Sequence, residues 1–172
     1  MLNEDIALPE LKDTTAYLTV KMTNANGENQ YALIEISKAM NRFVELPSKD
    51  GSNHIIMVDD VLRYCLDEIF NIFNYESISA YMVKITRDGE LDFDSDLSKS
   101  FIDKLSDSVK DRQSGDLVRF VHDKSIDKDT LAFLLERMEI DAKDSIIPGG
   151  RYHNRRDYMD FPSLGRTDLL YD

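Results

Sequence analysis

The sequence predicts an α+β fold: a single domain built on a mixed, mostly antiparallel sheet with an N-terminal hairpin and about three main helices. Apolar residues near the N-terminus alternate with a period of two, which is typical of strands. Further along the chain they recur every three or four residues, which is typical of amphipathic helices. After the first hairpin the two patterns interleave, and this order favours α+β over a strictly parallel α/β sheet.

The hairpin comes first. Residues 15–23 alternate in polarity and predict a half-buried strand. Asn24-Ala25-Asn26-Gly27 supplies turn residues that tolerate positive φ, and a second alternating run follows over residues 30–36. Two short strands are predicted next, at 42–46, where Pro47 ends the pattern, and at 54–57.

The period changes at Val58. Val58, Val61, Leu62, Cys65, Leu66 and Ile69 are spaced for one buried face of a helix. Asp59 and Asp60 lie near its start, where the helix dipole favours acids. The remaining elements are a strand at 79–86, a helix from about Asp94 to Arg112, a strand at 117–122 and a helix from Asp127 to about Met138.

Composition fits one self-sufficient domain. The 172 residues are 42% hydrophobic and 31% charged, and a chain of this length buries about 70% of its unfolded surface. The lone Cys65 excludes an intramolecular disulfide or a cysteine-rich zinc site, and its apolar neighbours predict a buried thiol rather than a nucleophile. Residues 1–5 are acidic where a signal peptide would be basic, and no apolar run approaches ~20 residues, so we expect a cytosolic protein.

Charge is unevenly distributed. The 33 acids and 21 bases give a net charge of −12, which argues against nucleic acid or an anionic membrane as a partner of the whole surface. Residues 149–166 reverse this balance, because they contain four arginines and only two aspartates. This local reversal is the strongest anomaly in the sequence.

The basic segment suggests phosphate contacts. Its glycines allow close backbone approach, its arginines fit phosphate oxygens and its histidine can exchange a proton near neutral pH. The alternative is a tight turn whose arginines pair with acids elsewhere and whose histidine packs. No Gly-Lys-Ser/Thr closes a P-loop. The candidate contact residues are Arg151, His153, Asn154, Arg155 and Arg156.

Other candidates are weaker. Residues 86–96 contain five acids but lack the order of an EF-hand, so they indicate a solvated turn in which Asp94 or Ser95 caps the next helix. His54 and His122 have no partner at metal-ligand spacing and lie in no nucleophile motif, so structural or surface roles are expected. We identify neither a full catalytic set nor a metal site.

Several segments of the sequence form a recognisable set. They are residues 61–70, 85–88 with 90–92, 117–121, and above all Ser145-Ile146-Ile147-Pro148-Gly149-Gly150-Arg151-Tyr152-His153-Asn154, followed by Asp157 and Phe161-Pro162. These segments closely resemble the middle, or head, domain of the bacterial polyphosphate kinase family that carries a histidine phosphoacceptor. The resemblance covers nearly the whole chain. Gly89 stands where the family commonly has alanine, and Arg155-Arg156 replaces a frequent aromatic-Lys pair.

The resemblance implies a parent enzyme that moves the terminal phosphate of ATP reversibly onto polyphosphate, using Mg²⁺. It implies that the phosphorylated histidine and most ATP and Mg²⁺ contacts lie in C-terminal domains, so no cofactor is expected to bind tightly here and His153 is not the acceptor. Residues 1–165 would be the middle domain and 166–172 the start of the connection onward. Expected partners are the N- and C-terminal domains and a second copy of the enzyme, which would be cytoplasmic or peripheral to the inner membrane.

Three hypotheses follow. The first is an isolated middle domain, inactive alone, that organises neighbouring domains, contributes to dimer assembly and positions phosphate through the basic segment. The second is a pure interaction scaffold whose basic segment is an interdomain hinge. The third is a free-standing enzyme, which would turn over ATP and polyphosphate by itself.

Overall fold

The computed structural model describes residues 11–12, 15–37, 39–48, 50–87, 118–140, 145–153 and 155–166. Within these ranges no helix is long and apolar enough to span a bilayer. The helix predicted from Asp94 to Arg112 and the acidic stretch beyond Arg87, including its proposed caps, lie outside the described residues.

The described strands are β1 Ala16–Thr23, β2 Asn29–Ile36, β3 Phe43–Leu46, β4 His54–Met57, β5 Ser77–Arg87, β6 Val118–Asp123 and β7 Ser145–Gly149. Five of them form the main sheet in the order β2-β1-β5-β6-β7. Neighbours pair antiparallel except β6 and β7, which are parallel. This confirms the predicted α+β class and the mixed, mostly antiparallel sheet. The other two strands, β3 and β4, form a separate two-stranded sheet.

The predicted N-terminal hairpin is confirmed. Ala16 pairs with Ile36 and Thr23 with Asn29 across the turn. Gly27 has φ of +79°, in the left-handed region that favours glycine, and the side chain of Asn24 accepts hydrogen bonds from the backbone N–H groups of Asn26 and Glu28. The turn chemistry therefore fixes the hairpin, as predicted.

Strand β1 differs from the half-buried prediction, because it is buried on both faces. Leu18 and Thr19, which point to opposite sides, are both fully buried. The strand lies between β2 and β5, and helices cover both faces of the sheet there. Because β1 contains polar residues, its sequence indicates one solvent-facing side. In the structure a helix covers that side and buries it.

Helices cover the two faces. Leu134 of α3, Lys128–Arg137, packs with Tyr17, Val83 and Phe120 on one side. On the other side Val58 of α1, Val58–Tyr64, packs with Leu18 and Met82, and Leu66 of α2, Leu66–Ile69, packs with Val20 and Met22. Burial of these apolar surfaces is the main force that holds the layers together.

The helix predicted from Val58 to Ile69 is broken into α1 and α2. Cys65, between them, has φ −92° and ψ 13°, outside the helical region. Ile69, which follows the break, is 43% exposed despite its apolar spacing. Cys65 itself is half-buried rather than buried.

Candidate functional site

Strand β7, an edge strand of the described sheet, ends at Gly149, where the basic segment of residues 149–166 begins. Its parallel pairing with β6 places Pro148 opposite His122 and Gly149 opposite Asp123. A Cβ at Gly149 would lie 2.9 Å from Val121 Cγ1, so glycine is required for this close approach. The segment then continues into a 3-10 helix, Arg155–Asp160. The sequence prediction contained neither element.

The basic segment also contacts Asp60 of α1. Arg151 donates to Asp60 Oδ1 from Nε at 3.0 Å and from Nη2 at 2.7 Å. The Tyr152 hydroxyl donates to Asp60 Oδ2 at 2.5 Å, and Arg63 Nη1 donates to Oδ1 at 3.2 Å. One carboxylate therefore binds two guanidinium groups and a phenol, which we call the Asp60 cradle.

Ionisation of the cradle follows from these contacts. Burial pushes the pKa of Asp60 upward, but hydrogen bonds from Tyr152 and Arg151 and the two guanidinium charges together hold it below 3.8. The same bond raises the pKa of Arg151, and the bond to Asp60 together with burial raises that of Tyr152. Asp60 is thus an anion, and its partners are protonated, at neutral pH.

A second ion group lies beside the first. Arg42 Nη2 donates to Asp59 Oδ2 at 2.5 Å, and Arg42 Nε lies 2.8 Å from Asp157 Oδ2 without hydrogen-bond geometry. The Asp59 side chain is fully buried, and its Oδ1 has no partner among the described residues. Burial raises the pKa of Asp59 despite the attraction of Arg42 and Arg63.

His153 is held as a neutral imidazole. Its Nε2 donates to the Gly150 carbonyl at 2.8 Å, so that Nδ1 carries the lone pair. Nδ1 is buried and has no partner among the described residues. Burial lowers the pKa of His153 below 6.5, against the bond to Gly150. His153 therefore adds no positive charge to the segment at neutral pH.

Arg156 has a different position from Arg151. It is exposed and lines a cleft of about 480 Å³ between the 3-10 helix, the end of β2 and β3. Phe161 packs edge-on against Phe43 at 5.1 Å, which fixes this part of the segment on β3. The charged lining residues are Arg42, Glu45, Arg156, Asp157 and Asp160.

The five candidates are thus only partly brought together. Arg151 pairs with Asp60, His153 is hydrogen-bonded to the Gly150 carbonyl, and Arg156 lines the cleft. Asn154 and the side chain of Arg155 lie outside the described residues.

Comparison with known proteins identifies the family. The family described as polyphosphate kinase middle domain matches residues 1–161. The chain belongs to this family. A polyphosphate kinase of Vibrio cholerae is 40% identical over 98% of this chain and 25% of its own length, and that of Escherichia coli strain K12 is 38% identical over 99% and 25%.

The fold agrees with a solved member of the family. The crystal structure of polyphosphate kinase from Porphyromonas gingivalis aligns with a TM-score of 0.71 at 21% identity, over 99% of this chain and 24% of that one. The chain thus spans about a quarter of the length of the curated relatives it matches.

The remaining candidates lie away from the cradle or are structural. His54 is exposed, 3.9 Å from Asp50. His122 is buried, and its Nδ1 donates to the Asp123 carbonyl at 2.9 Å. Among the described residues, no group of three or more His, Cys, Asp or Glu could hold a metal ion.

Sequence reasoning missed the role of Asp60. It interpreted Asp59 and Asp60 only as acids at a helix start, which they are. Asp60 and Arg151 are 91 residues apart, and no spacing rule joins such positions. The available signal was the general expectation that arginines of the basic segment pair with acids elsewhere.

Proposed function

We propose that this chain is the middle domain of an ATP:polyphosphate phosphotransferase that works through a phosphohistidine in another domain and uses Mg²⁺. In this proposal the chain organises the neighbouring domains, contributes to dimer assembly and positions phosphate, and it is inactive alone. Family membership and 40% identity to a polyphosphate kinase over 98% of the chain support the parent activity.

The observation that best supports phosphate positioning is that the backbone of the basic segment is held in place. Contacts to Asp60 of α1, to Arg42 just before β3 and to Phe43 of β3 hold it in place. Arg156 stays exposed at the cleft. A fixed backbone that presents an exposed arginine favours electrostatic positioning of phosphate oxygens, because little side-chain order has to be imposed on binding. No covalent step is assigned to this chain.

The interaction scaffold is the second candidate, and a specific observation favours it. Arg151 is engaged by Asp60, and His153 is neutral. Under this alternative the arginines only hold the segment as an interdomain hinge, and phosphate binding is absent.

A polyphosphate titration at two salt concentrations separates the candidates. We expect wild type to bind, more weakly at the higher salt, and Arg155→Ala with Arg156→Ala to lower affinity at least fivefold. The matched control, Lys124→Ala with Lys128→Ala, removes two exposed positive charges outside the segment and should change affinity less than twofold. Equal losses in both double variants, or no salt-sensitive binding by wild type, would contradict phosphate positioning.

Inactivity of the chain alone has its own test. Incubation with ATP, Mg²⁺ and polyphosphate should give no change in ADP or in chain length. Turnover by the purified 172-residue chain would instead support a free-standing enzyme.

A further inference from the structure

The Asp60 cradle has the composition of an anion site that is already filled. Two guanidinium groups and a phenol hydroxyl donate to one carboxylate, from Arg63, Arg151 and Tyr152. The same donor types bind phosphate oxygens, and arginine forks fit carboxylate and phosphate alike. The donors come from α1 and from the basic segment, so the cradle exists only when the segment is in place.

An internal phosphate of a polyphosphate chain matches the carboxylate closely. Each has two free oxygens and carries one negative charge at neutral pH, so either can accept both N–H groups of one guanidinium fork. When phosphate takes Arg151, Asp60 keeps Arg63, so each anion retains one guanidinium group. Phosphate would therefore compete with Asp60 on similar terms rather than add to it.

Access is sufficient for such an exchange at Arg151. Its side chain is 54% exposed, whereas that of Asp60 is 23% exposed and that of Arg63 only 11% exposed. Arg151 can thus turn toward solvent while Arg63 remains with Asp60. Because Arg151 is more than half exposed, water screens its pair with Asp60, and such a pair contributes little to stability, so that another anion can replace Asp60 there.

We propose that Asp60 is an internal competitor of phosphate: its carboxylate occupies Arg151 and Tyr152, and a condensed-phosphate chain must take Arg151 from it to bind fully. This rests on the proposed phosphate-positioning function of the basic segment. Asp60 thereby sets how strongly the segment attracts phosphate. The consequence is a domain that binds phosphate weakly and reversibly, as a route for a moving chain requires.

Asp60→Asn tests the competition with tripolyphosphate as the probe. The amide keeps the shape of the carboxylate and removes its charge, so Kd should fall about three- to tenfold. Asp129→Asn is the matched control, because it also removes one paired acid, that of Lys21, at a position outside the cradle. It should change Kd less than twofold. Asp60→Asn with Arg151→Ala should lose the gain.

The outcomes separate this inference from the function on which it rests. If Arg155→Ala with Arg156→Ala weakens binding but Asp60→Asn leaves it unchanged, the competition is overturned and phosphate positioning stands. An equal gain in Asp129→Asn would reduce the effect to net charge and also overturn it. Absence of binding in wild type and in every variant would contradict both the competition and the phosphate-positioning function.

A measurement on wild type covers the case in which Asp60→Asn does not fold. The side-chain carboxyl carbon of Asp60 is followed by NMR against pH, with and without saturating tripolyphosphate. Loss of the Arg151 and Tyr152 bonds should raise the Asp60 pKa in the complex, because those bonds help to hold it low. An unchanged Asp60 pKa in the bound state would overturn the proposal.

Discussion

The central strands and the basic segment are held by different forces. In the sheet, Leu18, Met82 and Phe120 are fully buried between two layers of helices. In the basic segment, Met159 is 82% exposed and Phe161 is 54% exposed, and ion pairs join the segment to α1 and to Arg42 just before β3. Apolar burial responds little to pH or anions, whereas ion pairs respond to both. The segment is therefore the part of the domain that a phosphate ligand can alter.

The largest expected effect comes from Arg42→Met, which breaks the buried pair with Asp59 and also removes the contact of the basic segment at Asp157. It leaves the carboxylate of Asp59, which is fully buried, without its arginine. Removal of one partner of a buried pair costs about 3–5 kcal/mol, because a charge remains without compensation. The free energy of unfolding in urea measures this loss.

Arg42→Met with Asp59→Leu is the control for that prediction. Removing both charges should recover most of the stability, because neither group is then left buried and unpaired. A loss below about 1 kcal/mol in Arg42→Met alone would mean that water reaches Asp59, and the pair would then resemble an exposed one.

Gly149→Ala tests the attachment of the basic segment to the sheet more directly. The new methyl would lie 2.9 Å from Val121 Cγ1, and the crowding should cost about 1–3 kcal/mol. Gly150→Ala is a matched control, because a Cβ there meets nothing within 4 Å among the described atoms. Hydrogen exchange should accelerate at Ile147 in β7 and stay unchanged at Val20 in β1. Equal costs at the two glycines would show that β7 does not need its close approach.

The contrast also explains what the sequence could predict. Alternation and the Asn-Gly turn were sufficient for the β1–β2 hairpin, because these signals are local. These local signals did not predict that the second face of β1 is also buried. Thr19 on that face is fully buried because α3 covers it. Pro148 and Gly149 made β7 look like a turn, although an edge strand accepts proline.

The site was less predictable than the fold for the same reason. Its composition identified Arg151, His153 and Arg156 as candidates, and the family motif located them. The ion pairs that decide what each can do join Arg151 to Asp60 and Arg42 to Asp157. Such long-range pairs depend on tertiary geometry, and one sequence carries no periodic signal for them.

The smallest expected effect is a pH dependence with opposite signs at two adjacent residues. The pKa of Asp60 is held below 3.8 in the folded protein, so its contribution is present above pH 3.8 and is lost as the pH falls through the folded pKa. The pKa of Asp59 is raised, mainly by burial, so ionisation of Asp59 lowers stability as the pH rises from 3.8 through its folded pKa.

Difference profiles against wild type isolate each residue from the other acids. Asp60→Asn should cost about 1 kcal/mol at neutral pH, and this difference should shrink as the pH falls below 3.8. For Asp59→Asn, stability relative to wild type should instead rise as the pH increases above 3.8, because wild type then pays for ionising the buried acid. Unfolding in urea at pH 3 to 7 measures both profiles. Parallel profiles for the two variants would show that Asp59 and Asp60 share one environment, and the separation between a buried anchor and an exchangeable cradle would then be wrong.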